Sequence, residues 1–168
     1  MKVRDIALFF LSKDTDNTVF TQNLVNMNNR TFYDGNARLN KFLHLAQNIY
    51  LAKYGELLYD DDLLAYDNGG VVQEVQKGYG FLLHNKQKLS NSICITEQAQ
   101  SFLNVFYDIF KNASLDELIQ LSHEDESWVD KHKYGTDLKL IKMDTAKYAE
   151  QYKKQYSDIL QVMDGLGA

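Results

Sequence analysis

The chain has 168 residues, a formal charge of -5, 45% hydrophobic residues and 12% aromatic residues. Length and apolar content of this kind are typical of one globular domain and exclude a wholly disordered chain. The negative charge disfavours nucleic acid as a partner, because the field of the molecule repels phosphate. Since no apolar run approaches the ~20 residues that a membrane helix needs, we expect no membrane insertion. The single cysteine, Cys94, excludes an intrachain disulfide and is typical of a cytoplasmic protein.

The first part of the chain contains one clear helical segment. Apolar residues predict a buried helix over residues 3–12. The polar and asparagine-rich stretch that follows has no clean period, and a second short helix within residues 19–27 is the one element that it indicates.

The strongest helical pattern lies between Leu39 and Tyr50, where apolar residues recur at spacings of three and four. It predicts a helix over residues 37–54, with Asn36 as the N-cap and Gly55 as the left-handed residue that ends it. His44 lies opposite the apolar face, so we expect its side chain to be exposed to solvent.

The middle of the chain gives weaker signals. Residues 63–66 lie between two turns and are predicted to be extended or to form a single turn. A short helix is predicted over residues 71–79. Residues 92–95 resemble a strand that pairs with residues 81–83, which would make Cys94 a half-buried core residue and His84 a surface residue in a turn.

The last third is again helical. Apolar spacing predicts a helix over residues 97–111 with Thr96 as its cap, and Ser114 with Glu117 fits a capping box at the start of another helix. A C-terminal amphipathic helix is predicted over residues 144–164. Three tyrosines on this helix either pack in the core, which we favour, or form a strip that contacts a partner: Tyr148, Tyr152 and Tyr156.

Together these elements predict a mainly α fold. We expect a single compact helical domain over residues 1–168, with six to eight helices and a small two- or three-stranded antiparallel β element. No internal repeat and no linker rich in Gly and Ser is present in the sequence, so nothing indicates a second domain.

The densest group of candidate metal ligands is His123-Glu124-Asp125-Glu126. Its spacing is not that of a zinc protease, and acidic residues at a helix start are favoured by the helix dipole alone. The triplet Asp60 to Asp62 lacks the alternating ligands, the central Gly and the distal Glu of a calcium loop. We therefore predict neither a metal nor another cofactor.

Two ordered stretches resemble the Panacea domain family of SocA-like and phage-associated GepA-like antitoxins. The first begins with ARLNKFLHLAQ at Ala37 and continues through residues 50–60, 64–66 and 69–72, similar to the LxKLLYxAQ helix of the family and the turns after it. The second is the L-x-x-L-S-H-E pattern from Leu118 to Glu124, followed by Trp128. The resemblance covers residues 37–132. The chain departs from the family where Gly70 and Ser127 replace prolines and where residues 13–36 resemble an enlarged insert.

The resemblance implies a helical antitoxin that neutralises a cognate protein toxin by direct binding, and SocA-like members are also adaptors that deliver a toxin to a protease machine. No catalytic residue comes with the family. The residues that carry the motifs are either a partner-binding surface or a cluster that defines the fold: Tyr66, Gly69, Gly70, Val71, His123 and Trp128.

Two other functions stay open at this stage. The same surface could belong to a phage or prophage protein that binds and modulates a host or defence protein without any toxin. A hydrolase or metal enzyme could use His123, Glu124 and Asp125.

Overall fold

A computed structural model describes residues 1–27, 29–133 and 140–168. These residues form eight α-helices, a 3-10 turn and two separate two-stranded antiparallel sheets, and 61% helix confirms the predicted mainly α fold. In chain order the elements are α1 (Val3–Lys13), β1 (Leu24–Met27), β2 (Arg30–Tyr33), α2 (Asp34–Tyr54), β3 (Leu64–Tyr66), β4 (Gly69–Val71), α3 (Gln73–Ser90), α4 (Glu97–Phe110), α5 (Leu115–His123), α6 (Glu126–Lys131), the 3-10 turn (Thr145–Tyr148), α7 (Ala149–Gln155) and α8 (Ser157–Gly165).

Helix α2 is the centre of the molecule, and every residue from Leu39 to Ala52 is buried. Its apolar face packs in the hydrophobic core with α1, α3 and α4. Its polar face is covered as well, by β4, α5 and α7. A helix enclosed on all sides must find partners for its polar side chains inside the protein, and this requirement produces the site described below.

Aromatic rings join the helices around α2. Phe42 meets Phe10 of α1 and Phe106 of α4 at centroid distances of 5.4 and 5.6 Å, in edge-to-face arrangements. Ring pairs of this kind contribute about 0.5–1.5 kcal/mol beyond the burial of their area. The sequence predicts all three as core positions, Phe42 and Phe106 from helical periodicity and Phe10 from the apolar run of the first helix.

The N-terminal third differs in part from the predictions. Helix α1 agrees with them, but α2 begins earlier, at Asp34, so that Asn36 lies inside the helix and donates from Nδ2 to the Gln76 carbonyl at 2.9 Å. The predicted short helix within residues 19–27 is wrong, because residues 24–27 pair with β2 as a strand. Gly55 ends α2 as expected, with φ of 75°.

The predicted strand pair between residues 81–83 and 92–95 is also wrong. Helix α3 continues to Ser90, because Leu82 and Leu83 extend its buried face and the helix packs along α1. His84 therefore lies in a helix and not in a turn, although it is exposed as predicted. Cys94 follows this helix and is exposed instead of lying in the core.

The helices of the last third carry the predicted caps. Thr96 accepts from the amide of Ala99 at the start of α4, and Ser114 with Glu117 forms the capping box of α5. The C-terminal segment is divided into the 3-10 turn, α7 and α8, with a break at Tyr156. Among the described helices, none has both the length and the apolar composition required to cross a bilayer.

Candidate functional site

The turn between β3 and β4 brings the family motif residues onto the polar face of α2. Tyr66 pairs with Gly69 and Ala65 with Gly70 in the short antiparallel ladder. Gly69 has φ of 100°, and a Cβ there would lie 2.6 Å from Cβ of Ser122 on α5. A Cβ on Gly70 would lie 2.9 Å from the His44 ring. Both glycines are required, because only a residue without a side chain lets the strand come this close.

Helix α2 holds this strand through buried polar side chains. Lys41 donates from Nζ to the carbonyl of Gly70 at 2.9 Å, and Oδ1 of Asn40 accepts from the amide of Val72 at 3.0 Å. Asn40 and Lys41 are each 2% exposed. These contacts satisfy main-chain groups that a short strand would otherwise leave unpaired in the interior.

His44 connects β4 to the junction of α5 and α6. The amide of Gly70 donates to Nδ1 of His44 at 3.1 Å, and Nε2 of His44 lies 2.6 Å from Oδ2 of Asp125. A nitrogen that accepts a hydrogen bond carries no proton, so the contact with the Gly70 amide assigns the donated proton to Nε2, which faces the carboxylate. His44 is fully buried, which corrects the prediction that it faces solvent.

Asp125 is the acceptor at the centre of this network. Besides His44, its carboxylate accepts from Asn48 Nδ2 at 2.9 Å, from the Tyr152 hydroxyl at 2.7 Å, and from the amide and hydroxyl of Ser127 at 2.8 and 3.1 Å. The contact with the Ser127 amide also makes Asp125 the N-cap of α6. The network therefore joins α2, α6 and α7 through one fully buried carboxylate.

The environment of Asp125 favours the ionised form. Burial opposes ionisation, but the hydrogen bonds from His44, Tyr152 and Asn48 outweigh it and lower the pKa of Asp125 to about 2. Conversely, burial and the neighbouring Asp125 charge raise the pKa of Tyr152, so its hydroxyl remains a donor.

The lowered pKa of Asp125 predicts a loss of stability in acid. Its ordinary pKa is 3.8 and its folded pKa about 2, so its contribution of about 2 kcal/mol is complete above pH ~5 and is lost as pH falls through both values. We expect urea unfolding between pH 6 and 2.5 to show this loss in the wild type and not in Asp125→Asn, which has no carboxyl to titrate. Equal pH slopes for the two proteins would contradict the assignment.

Trp128 stacks with two imidazoles beside the β3–β4 turn. The rings of His123 and His132 are nearly parallel to the Trp128 ring, with centroids 4.3 and 4.2 Å away. Trp128 donates from Nε1 to the carbonyl of Tyr66 at 2.8 Å. Nε2 of His123 lies 3.0 Å from the carbonyl of Asp67, and Nε2 of His132 lies 3.0 Å from Oδ1 of the same residue. Three aromatic side chains thus fix the turn to α5 and α6.

Burial also affects the charge of the stack. Burial lowers the pKa of His123, while its hydrogen bond to the Asp67 carbonyl acts in the opposite direction. The ring of His123 is therefore mainly neutral at physiological pH, and it donates from Nε2 to the Asp67 carbonyl.

The motif residues lie together, but their exposure differs. Gly69, Gly70, Val71 and Trp128 are buried, whereas Tyr66 and His123 are partly exposed. A partner could touch the exposed pair directly, while the buried residues shape the turn. Their assignment as a partner-binding surface stays a prediction.

The buried network itself was not predicted from the sequence, although α2 contains a signal for it. Asn40, His44 and Asn48 recur at a spacing of four and so form one stripe along the helix. Lys and Glu are almost never fully buried without a partner, and this stripe contains neither, so its residues can be buried where they find hydrogen-bond partners. Asp125 and Tyr152 are far from the stripe in sequence, so periodicity could not have found them.

The acidic run at residues 123–126 does not converge on one point. Asp125 is buried against α2, whereas the side chain of Glu124 is exposed. Across the described ranges, no three His, Cys, Asp or Glu side chains are grouped so that they could hold a metal ion.

Comparison with known proteins gives one finding. A search of curated proteins and a search of solved structures both return no match. The family model of the antitoxin SocA-like Panacea domain matches residues 39–129, which include most of α2, the β3–β4 turn, His123 and Trp128. Because the match spans more than half of the chain, this protein belongs to the antitoxin SocA-like Panacea domain family.

Proposed function

We propose that this protein is a non-enzymatic antitoxin that neutralises a cognate protein toxin by direct binding in the cytoplasm, with delivery of the toxin to a protease as a further role. The observation that carries the proposal is the family match over residues 39–129. The proposed contact surface is the β3–β4 turn with the neighbouring ends of α5 and α6.

The rigidity of this surface supports the proposal. The turn is fixed by the His44 and Lys41 contacts below it and by the Trp128 stack beside it. A surface that is already ordered loses little conformational entropy when it binds, which favours affinity. Tyr66, which is partly exposed, is also of a residue type that is enriched at protein interfaces.

The charge of the chain indicates what kind of toxin it would bind. With a formal charge of -5, the antitoxin attracts a basic partner, and electrostatic attraction accelerates association. We therefore expect the association rate to fall as salt concentration rises.

The test is co-expression with the protein that the adjacent gene encodes. We expect that protein alone to arrest growth, co-expression to restore it, and the two purified proteins to co-elute on size exclusion. Failed rescue together with no co-elution would contradict the proposal. Recovery of a host protein complex in its place would favour a modulator of host or defence proteins. Turnover of a small substrate that is lost in His123→Ala would contradict a non-enzymatic role.

A further inference from the structure

The β1–β2 hairpin has one edge whose main-chain groups point away from its partner strand. The amide of Asp34 donates to the carbonyl of Asn23 at 2.8 Å, so residues 23 and 34 form a hydrogen-bonded pair. Opposed residues in an antiparallel ladder alternate between hydrogen-bonded and non-hydrogen-bonded pairs. In this hairpin Leu24 is opposite Tyr33 and Asn26 is opposite Thr31. Both are therefore non-hydrogen-bonded pairs. The N–H and C=O groups of Leu24 and Asn26 face outward.

Apart from its shortness, this edge has few of the features that prevent a strand from pairing. Natural edges are protected by short strands, charged side chains, proline or bulges. The segment from Asn17 to Tyr33 has one charged residue, Arg30 on the other strand, and the chain has no proline. Leu24 is 66% exposed. Within the part of the chain that the structure describes, no third strand joins this sheet.

A second copy of this chain does not fit the edge well. Pairing two four-residue strands buries far less than the ~1,200 Å² of a stable interface. Two copies, each with a formal charge of -5, also repel each other as they approach.

The toxin of the proposed function is a better candidate for binding at this edge than a second copy, because the hairpin is continuous with the proposed contact surface. A cleft of about 100 Å³ lies between them, with Arg30 and Phe32 of β2 among the residues on one side and Tyr66 and Val71 of the β3–β4 turn among those on the other. A protein that covers the turn and this cleft reaches the hairpin as part of one interface, so the short edge need not supply the whole affinity.

We propose that the β1 edge binds an extended segment of the toxin, which adds to the hairpin as a third strand; this inference rests on the proposed function. Main-chain hydrogen bonds to Leu24 and Asn26 supply the attachment. The toxin segment is uncharged and has an apolar side chain that packs on Leu24.

The first test uses proline on the two edges of the hairpin. Asn26→Pro removes an outward N–H of β1, and Thr31→Pro removes an outward N–H of β2. Both also break the same hydrogen bond between the Thr31 hydroxyl and Oδ1 of Asn26, so they are matched in their damage to the hairpin. We expect Asn26→Pro to raise Kd for the purified product of the adjacent gene at least about tenfold, and Thr31→Pro, whose lost N–H faces away from the added strand, to raise it at least about threefold less than Asn26→Pro does.

The second test keeps the main chain intact. Leu24→Lys places a charge on the edge, and Val162→Lys does the same on α8, where Val162 is 53% exposed. Both positions are at the surface, so both variants should fold. We expect Leu24→Lys to weaken binding at least about tenfold and Val162→Lys to leave Kd unchanged. If a proline variant does not fold, the affinity of Leu24→Lys tests the proposal alone.

Three results would overturn the proposal. If Leu24→Lys binds with wild-type affinity, the β1 edge is not part of the interface, and the proposed function is not contradicted. A dimer of this chain that Leu24→Lys dissociates makes a second copy the occupant. If the wild-type protein forms no complex, the proposed function is contradicted, and so is the proposal that a toxin segment binds the β1 edge.

Discussion

Replacing Asp125 with alanine is expected to lower the free energy of unfolding by about 3–5 kcal/mol. The carboxylate accepts from His44, Asn48, Tyr152 and both donors of Ser127, all without access to solvent water. Alanine leaves these donors without an acceptor, and each unsatisfied buried donor costs about 1–3 kcal/mol before the site relaxes. Urea denaturation followed by circular dichroism measures the loss.

Two control variants test whether the effect belongs to the network. Glu124→Ala changes the adjacent exposed residue and should alter stability by less than about 0.5 kcal/mol. Tyr152→Phe removes one donor to the carboxylate and keeps the ring, so we expect an intermediate loss of about 1 kcal/mol. If Asp125→Ala were as stable as Glu124→Ala, the carboxylate would not organise the site.

Replacing Gly69 with alanine is expected to lower the free energy of unfolding by about 2–4 kcal/mol. The residue has φ of 100°, and the new Cβ would lie 2.6 Å from Cβ of Ser122. The strain and the overlap act together, because the turn cannot move outward without breaking the contacts of Gly70 with His44 and Lys41. Thermal unfolding should show a decrease in Tm of about 2–4 °C for each kcal/mol lost.

Gly78 provides the matched control. It lies inside α3, and a Cβ at this position would meet no other atom within 4 Å outside its own helix backbone and its chain neighbours. Alanine is favoured over glycine in a helix by about 0.5–1 kcal/mol. Gly78→Ala should therefore raise Tm while Gly69→Ala lowers it. Changes of the same sign in both variants would contradict the close approach of β4 to α5.

Elements with local signals were predictable from the sequence. Helix α4 follows an apolar period of three and four residues and starts at Thr96, whose hydroxyl accepts from the amide of Ala99. Both signals lie within one short segment, so no knowledge of the tertiary structure is needed to find them. The same holds for the capping box of α5 and for Gly55 at the end of α2.

The site was less predictable, because it depends on what covers α2. His44 was expected at the surface, since the opposite face of the helix carries the apolar residues. The expectation that a polar helix face is exposed is wrong here, because β4, α5 and α7 enclose this face and supply hydrogen-bond partners. These partners come from residues 70 and 125, and no pattern within α2 specifies them.

The misassigned segment around Cys94 has a different cause. Ile93, Cys94 and Ile95 have high β propensity, but propensity in so short a run is a weak guide. The apolar residues before it continue the face of α3 that packs on α1, so the helix extends to Ser90 and no strand is left to pair with residues 92–95.

The buried network and the proposed contact surface are connected through one strand. Asp125 positions His44, His44 holds Gly70, and Gly70 fixes the turn that carries Tyr66. In this account the polar interior serves to present a rigid exterior. Variants of the network should then weaken partner binding only as far as they loosen the turn, whereas variants of the exposed residues should weaken it directly.

Isothermal titration of the adjacent gene's product into wild-type protein and into Tyr66→Ala tests this account most directly. The side chain of Tyr66 is partly exposed and lines the cleft, while the carbonyl that holds Trp128 belongs to the main chain and is kept in the variant. We predict that the wild type binds and that Tyr66→Ala binds at least about tenfold more weakly with little change in Tm. No binding by the wild type, or equal binding by both proteins, would contradict it.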